Sequence, residues 1–427
     1  MRLIIRMTLR RFASAALLSA TLSLCSAVHT PAQTARAISL KPTSTTHQVV
    51  GYFPQWGVYN RRYVPKDLIT RGAVKTLTQI NYAQANVRDN ACVVADPQAD
   101  INLAFQAADS IDGVADPTGP PPGTVLRGNF HQLQLLRARY PRLRVVISIM
   151  GKRSLFEDAA KPENRVNFVR SCVSMFLQGH VAPGLDAPNL FDGIDVDWEY
   201  PDENHAEDFI ALMQEFRKQM DALRPHLTLS IASGAATKNI TAVDWRRASV
   251  PLDQINVMTY DYQGPWSHTT GFNAPLRSAN LNEETVGTTI DGYLNAGVPA
   301  HKLLLGVPFY AYQWENVTET GTHGLNTKGD PVRGNLNQST AVTLLTNPTA
   351  KLYRDPVSLS PWVYDGNNFL TFDDPASLQA KTAYADEKHL GGVMIWELSG
   401  DTTEGILLRA LGQTGQPAPH DVSAGSK

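Results

Sequence analysis

The chain has 427 residues, 43% hydrophobic and 18% charged, with 30 Gly and 27 Pro, a balance that supports a large buried core and excludes a disordered or collagen-like chain. Lysine and arginine number 38 against 40 acidic residues, so the net charge of -2 gives no global field for a polyanion, and no nucleic-acid partner is expected. Three cysteines with no CxxC pair argue against a disulfide-stapled scaffold and against zinc or redox work.

In chain order, Arg2, Arg6, Arg10 and Arg11 precede a short run of apolar and small residues from Phe12 to Val28. This is the pattern of a secretory signal, and the run is too short for a stable membrane span, which takes roughly 20 mostly apolar residues. Ala35-Arg36-Ala37 offers a cleavage site, with Cys25-Ser26-Ala27 as an earlier option. Residues 1–37 are therefore expected to be a signal peptide and 38–48 a flexible lead, in a secreted protein with no membrane partner. Cys92 and Cys172 would remain after cleavage; an oxidising compartment permits them to pair, but the sequence leaves open whether they meet.

Short apolar runs then recur at 49–53, 77–87, 144–150, 191–198, 227–233, 255–262, 303–310 and 391–398, at intervals too long for hairpins. Helical periodicity fills several intervals, as in His205 to Leu223 and Glu283 to Ala296. Eight such units predict an α/β fold, a (β/α)8 TIM barrel over 49–412, with a doubly wound open sheet as the alternative. The stretch Asp109 to Gly128 contains DPTGPPPG and predicts a surface loop. Residues 315–375 part the seventh and eighth strands by more than one helix requires and carry strand-like pieces, WVYDG and NFLTFDD, which predicts a small inserted α+β lobe at the barrel mouth. Residues 413–427 read as a polar, disordered tail.

The most informative segment is Phe191 to Pro201, FDGIDVDWEYP. Alternate side chains of a strand share a face, so Asp195, Asp197 and Glu199 point one way and Ile194, Val196 and Trp198 the other. In a barrel the first face is the interior, where three acids at close range cannot all ionise and at least one pKa must rise. An exposed edge strand or a hard-cation site are the competing readings. Glu199 lies last, at the end of the fourth strand where barrel enzymes keep their chemistry, and a raised-pKa acid beside a second carboxylate suits protonation of a glycosidic oxygen.

At this point DGIDVDWEYP resembles the DGxDxDxE signature of the family-18 glycoside hydrolases, the chitinases and their relatives. GYFPQWGVY, Ser148, Met258-Thr259-Tyr260-Asp261, PFY and Trp396-Glu397-Leu398-Ser399-Gly400-Asp401 follow the family's order, and the insertion resembles that of the deep-cleft subfamily. The resemblance implies retaining hydrolysis of β-1,4-linked N-acetylglucosamine in which the sugar's own acetamido group is the nucleophile. It implies Glu199 as acid and base, Asp197 as holder of the acetamido N–H, and Asp195 as its proton-sharing neighbour. Tyr260 and Asp261 would contact the acetamido oxygen and the acid, Tyr52 and Ser148 would bond the innermost aspartate, and Trp396 would floor the sugar. Met258 and Tyr310 join the expected substrate-binding set, and Trp266 and Trp56 look like stacking platforms. His205, His268 and His323 are expected to be solvent-facing loop residues. No metal and no cofactor are implied, the partner is chitin or a chito-oligosaccharide, and a monomer is expected.

Two departures stand out. Ser148-Ile149-Met150-Gly151-Lys152 replaces the usual Ser-x-Gly-Gly-aromatic, and Tyr310-Ala311-Tyr312 stands where Tyr-Gly-Arg is common. Both bear on subsite preference rather than on the acids. Two other functions are alternatives: an endo-β-N-acetylglucosaminidase with the same acid motif, against which the large insertion argues, and a sugar-binding lectin on the same barrel with lost catalysis, against which the presence of Glu199 argues.

Overall fold

The computed structural model describes residues 47–412 except 60, 338–340 and 342; the expected signal peptide, the lead up to residue 46 and the tail lie outside the described residues. The first strands are β1 (Gln48–Pro54), β2 (Gln79–Arg88), β3 (Ala91–Val94), β4 (Arg144–Met150) and β5 (Gly193–Asp197). They are followed by β6 (Thr228–Gly234), β7 (Gln254–Met258) and β8 (Leu303–Pro308). Then come β9 (Tyr310–Glu315), β10 (Asp330–Pro331), β11 (Leu336–Asn337), β12 (Lys351–Arg354), β13 (Pro361–Tyr364), β14 (Phe369–Thr371) and finally β15 (Gly392–Trp396).

Eight strands pair in parallel in the order β1-β15-β8-β7-β6-β5-β4-β2, and β2 pairs back to β1, so the sheet closes. This is the (β/α)8 barrel, and the open-sheet alternative is excluded by that closing pair. β3 folds back antiparallel on β2, and a Cys92–Cys172 disulfide ties it to the end of the helix Pro162–Cys172. The second sheet, antiparallel, runs β10-β9-β14-β13-β12 with β11 also on β9, and it sits in the chain between barrel strands β8 and β15. It takes in Tyr310, so the Tyr310-Ala311-Tyr312 run belongs to the inserted sheet.

Local sequence explains where three of the helices start and which side they bury. Ala206–Leu223 buries Phe209, Leu212, Met213, Phe216 and Met220 along one side, and Glu207 and Asp208 in its first turn oppose the positive end of the helix dipole. Val286–Asn295 starts at a Thr285/Thr288 capping box, which places Glu283 and Glu284 before the helix rather than in it. Asp374 caps Pro375–Glu387 in the same way, with Pro375 where its missing N–H does no harm. Among the described residues no helix is long and apolar enough to cross a membrane.

Candidate active site

Gly193 sets the position of the acids. A Cβ there would lie 2.1 Å from the Thr228 carbonyl oxygen, so glycine alone lets β5 run this close to β6. Asp195 and Asp197 are buried, and the opposite face of the motif is apolar and buried too. Trp198 stacks on Phe156 at 5.7 Å and meets Phe209 edge-on at 5.9 Å, which locks that face against two helices. The strand ends at Asp197, one residue short of its expected limit, and Glu199 stands past it, exposed at the lip of the barrel. The first two acids are thus inside the barrel and the third over it.

Asp195 is surrounded by donors. Tyr52 Oη and Ser148 Oγ donate to its Oδ2, each at 2.8 Å, while Ser230 Oγ at 2.6 Å and Asn256 Nδ2 at 3.1 Å donate to its Oδ1. The two serines lie in register with Asp195 on the neighbouring strands β4 and β6, which is why their hydroxyls reach it from both sides. Burial pushes the Asp195 pKa up, and the four donors pull against that shift by favouring the charged form.

Asp197 has the reverse environment. Its Oδ1 is buried and has no hydrogen-bond partner among the described residues. Burial, then the charges of Glu199 and Asp195, hold its carboxyl well above the usual carboxylate range. Both carboxyls are therefore raised, and of the two Asp195, with four donors, holds charge more readily while Asp197, with none, holds a proton more readily. The Glu199 pKa is also raised: protein closes around one side of its carboxyl and removes water there, Tyr200 opposes the shift through a hydrogen bond, and the Asp261 charge adds to it.

Asp261 follows Tyr260 in a left-handed turn with φ 64°, and Asn273 Oδ1 holds its backbone N–H at 2.8 Å. Its Oδ1 accepts from the hydroxyls of Tyr310 at 2.5 Å and Tyr312 at 2.8 Å, two positions apart on β9 and so on one face. β7 stops at Met258 rather than running on to residue 262, and this early exit turns Tyr260 and Asp261 toward the acids.

A cleft of about 400 Å³ opens over these groups at the C-terminal ends of the strands. Asp197, Glu199, Tyr260, Asp261 and Tyr310 line it, with Tyr52, Met258 and Trp396. Met150, the bulky departure from the family pattern, lines it too. Asp195 and Ser148 lie beneath, fully buried. Trp266, 59% exposed, is outside the lining: its ring folds back over Gly264 and stands edge-on to Tyr312 at 5.7 Å. His268 and His323 are on exposed loops, whereas His205 is half-buried and bonded to Asp202.

Sequence reasoning missed Ser230, Asn256 and Tyr312. The signal was present: Ser230 and Asn256 are polar residues at interior positions of otherwise apolar runs, and Tyr312 repeats Tyr310 with strand period. The profile of glycosyl hydrolases family 18 matches residues 48–401. Chitinase 63 of Streptomyces plicatus is 34% identical over 378 residues, covering 85% of this chain, and Chitinase C of Streptomyces lividans is 34% identical over 372 residues, covering 83%. The chain spans only 59% and 58% of the length of these relatives. The catalytic domain of the psychrophilic chitinase B from Arthrobacter TAD20 superposes with a TM-score of 0.75 at 30% identity, covering 86% of this chain and 95% of that one. With the barrel, the acids at its mouth and this match over most of the chain, the protein belongs to glycosyl hydrolase family 18.

Proposed function

We propose that the protein is a secreted chitinase that cleaves β-1,4 linkages between N-acetylglucosamine units with retention, using the substrate's acetamido group as nucleophile. The observation that carries this reading is the unequal pair beneath Glu199: a fully bonded Asp195 and an unpartnered, proton-favouring Asp197. The names of the similar proteins support the substrate class. The arginine-bearing apolar leader supports secretion.

In this mechanism Glu199, whose pKa burial raises toward the acid form, gives its proton to the glycosidic oxygen as the C1–O bond breaks. The acetamido oxygen bonds to C1 on the opposite face, forming an oxazolinium ion. Asp197 accepts a hydrogen bond from the acetamido N–H, and its proton is shared inward with Asp195, whose four donors hold charge wherever the proton moves. Tyr260 and Asp261 steady the acetamido oxygen and the acid, with Tyr310 fixing Asp261. Trp396 and Met258 floor the sugar, and Trp266 and Trp56 supply rim surfaces for stacking. The Glu199 carboxylate then takes a proton from water, whose oxygen reopens the ring at C1, and the acid is restored.

The test is a time course on chitohexaose with products resolved by length and anomer. Wild type is expected to release short β-anomeric products, and Glu199→Gln to lose about 10³-fold in kcat while still binding the hexamer. Tight binding by both proteins with no cleavage would replace the hydrolase reading with a lectin; cleavage by Glu199→Gln at the wild-type rate would remove Glu199 from its role.

A further inference from the structure

The turn that follows β1, Gln55–Val58, carries Trp56, 36% exposed, with its ring 6.3 Å from Trp396 in the cleft floor. Three carboxylates hold this turn and its continuation from two directions. On one side the Gln55 side chain donates to Asp100 Oδ2 at 2.5 Å, and Asp100 Oδ1 accepts from Tyr82 Oη. Asn129 Nδ2 donates to that same tyrosine oxygen at 2.9 Å and to the Gln55 carbonyl at 3.4 Å, so both ends of Gln55 are fixed. Tyr59 Oη adds a bond to Asp96 Oδ2 at 2.7 Å. On the other side Arg61 pairs with Glu397 Oε1 and reaches Ser399 Oγ at 2.7 Å, directly after Trp396 on the chain. Asp100 is fully buried with neutral donors, and burial pushes its pKa up to about 7, so this anchor is maintained against a desolvation penalty. Nothing in the acid chemistry uses these groups. What they share is the segment bearing Trp56.

We propose that Arg61 and Asp100 are positioning residues for Trp56, clamping its turn so that the indole extends the Trp396 floor into a platform for a sugar unit beyond the centre of the cleft. The inference rests on the chitinase reading above. An aromatic ring stacks on a pyranose only in the right plane, and a loop fixed at both ends keeps that plane without an ordering penalty on binding.

Steady-state kinetics on a chromogenic chitobioside, which is confined to the centre, and on chitohexaose, which reaches the platform, test it. Arg61→Gln and Asp100→Asn are expected to raise KM for the hexamer by about tenfold and to leave both constants for the chitobioside within about twofold. Arg61→Lys keeps the charge and should recover part of the loss. Trp56→Ala should reproduce the hexamer defect, and adding Arg61→Gln to it should cause no further loss. Equal losses on both substrates, or defects of Arg61→Gln and Trp56→Ala that multiply, would show that the clamp serves the fold and overturn the proposal. Arg61 is half-exposed, so its variant keeps the test available if Asp100→Asn fails to fold. Should wild type bind chitohexaose without cutting it, the chitinase reading falls while dissociation constants of the same variants decide the clamp; no binding by wild type would overturn both.

Discussion

The barrel has two open ends, and they differ in what their charges face. At the N-terminal end lies the larger hollow, about 1260 Å³, lined by Gln79, Arg144, Arg217, Asp253 and Gln254 among others. Its acids Asp221 and Asp253 both meet Arg217, at 2.8 and 3.1 Å, and Arg144 donates to the His226 carbonyl. At the C-terminal end the cleft is about 400 Å³, and like charges meet in sequence: Asp197 feels those of Glu199 and Asp195, and Glu199 that of Asp261. Volume therefore does not mark the proposed site. Like charges held together in partial burial do, because that arrangement costs stability and shifts pKa values toward neutrality.

The largest expected effect breaks the comparison directly. Glu199→Gln should lose about 10³-fold in kcat, whereas Asp253→Asn, at the other end, should change stability and leave turnover on chitohexaose as it is. Comparable losses from both would mean that the two ends are not functionally distinct. Next in size is the disulfide. Cys92 and Cys172 close a loop with a sequence separation of 80 and neither lines the cleft, so replacing both by serine should lower unfolding free energy by roughly 2–4 kcal/mol with kcat unchanged. Chemical denaturation alongside the kinetic assay checks both parts.

Much of this is legible in the sequence, for a physical reason. A strand's two-residue period forces Asp195 and Asp197 to one face and Val196 and Trp198 to the other, whatever the tertiary context. The barrel followed from repeated strand-helix alternation. What pattern could not show was the partner set of Asp195, since Ser148, Ser230 and Asn256 come from three strands whose relative register only the closed barrel fixes. The end of β5 was equally hidden: Glu199 continues the alternation in sequence, yet the chain has left the sheet by then. The meeting of Cys92 with Cys172 depends on β3 folding back onto β2, and nothing local in the sequence encodes that contact. The donor set gives the next prediction. Ser230→Ala removes one charge-assisted bond of four, worth about 1.5 kcal/mol, and should lower kcat about tenfold with little change in KM.

The smallest expected effect is a shift along the pH axis, and its sign separates charge from shape at the mouth. In the proposed mechanism Glu199 acts first as an acid, so activity should fall as pH rises through its pKa, which burial and then the Asp261 charge raise while Tyr200 opposes them. Asp261→Asn keeps the size of the side chain and an oxygen able to accept from Tyr310 and Tyr312, but it removes the negative charge. The Glu199 carboxylate then loses a repulsive neighbour, its pKa falls, and the alkaline limb of the kcat profile moves to lower pH. Asp253→Asn, which alters a charge at the far end of the barrel, should leave that limb where it is, because screening and distance remove its influence. A limb unmoved by Asp261→Asn would show that burial sets the acid, and that the nearness of Asp261 is geometry without electrostatic consequence for Glu199.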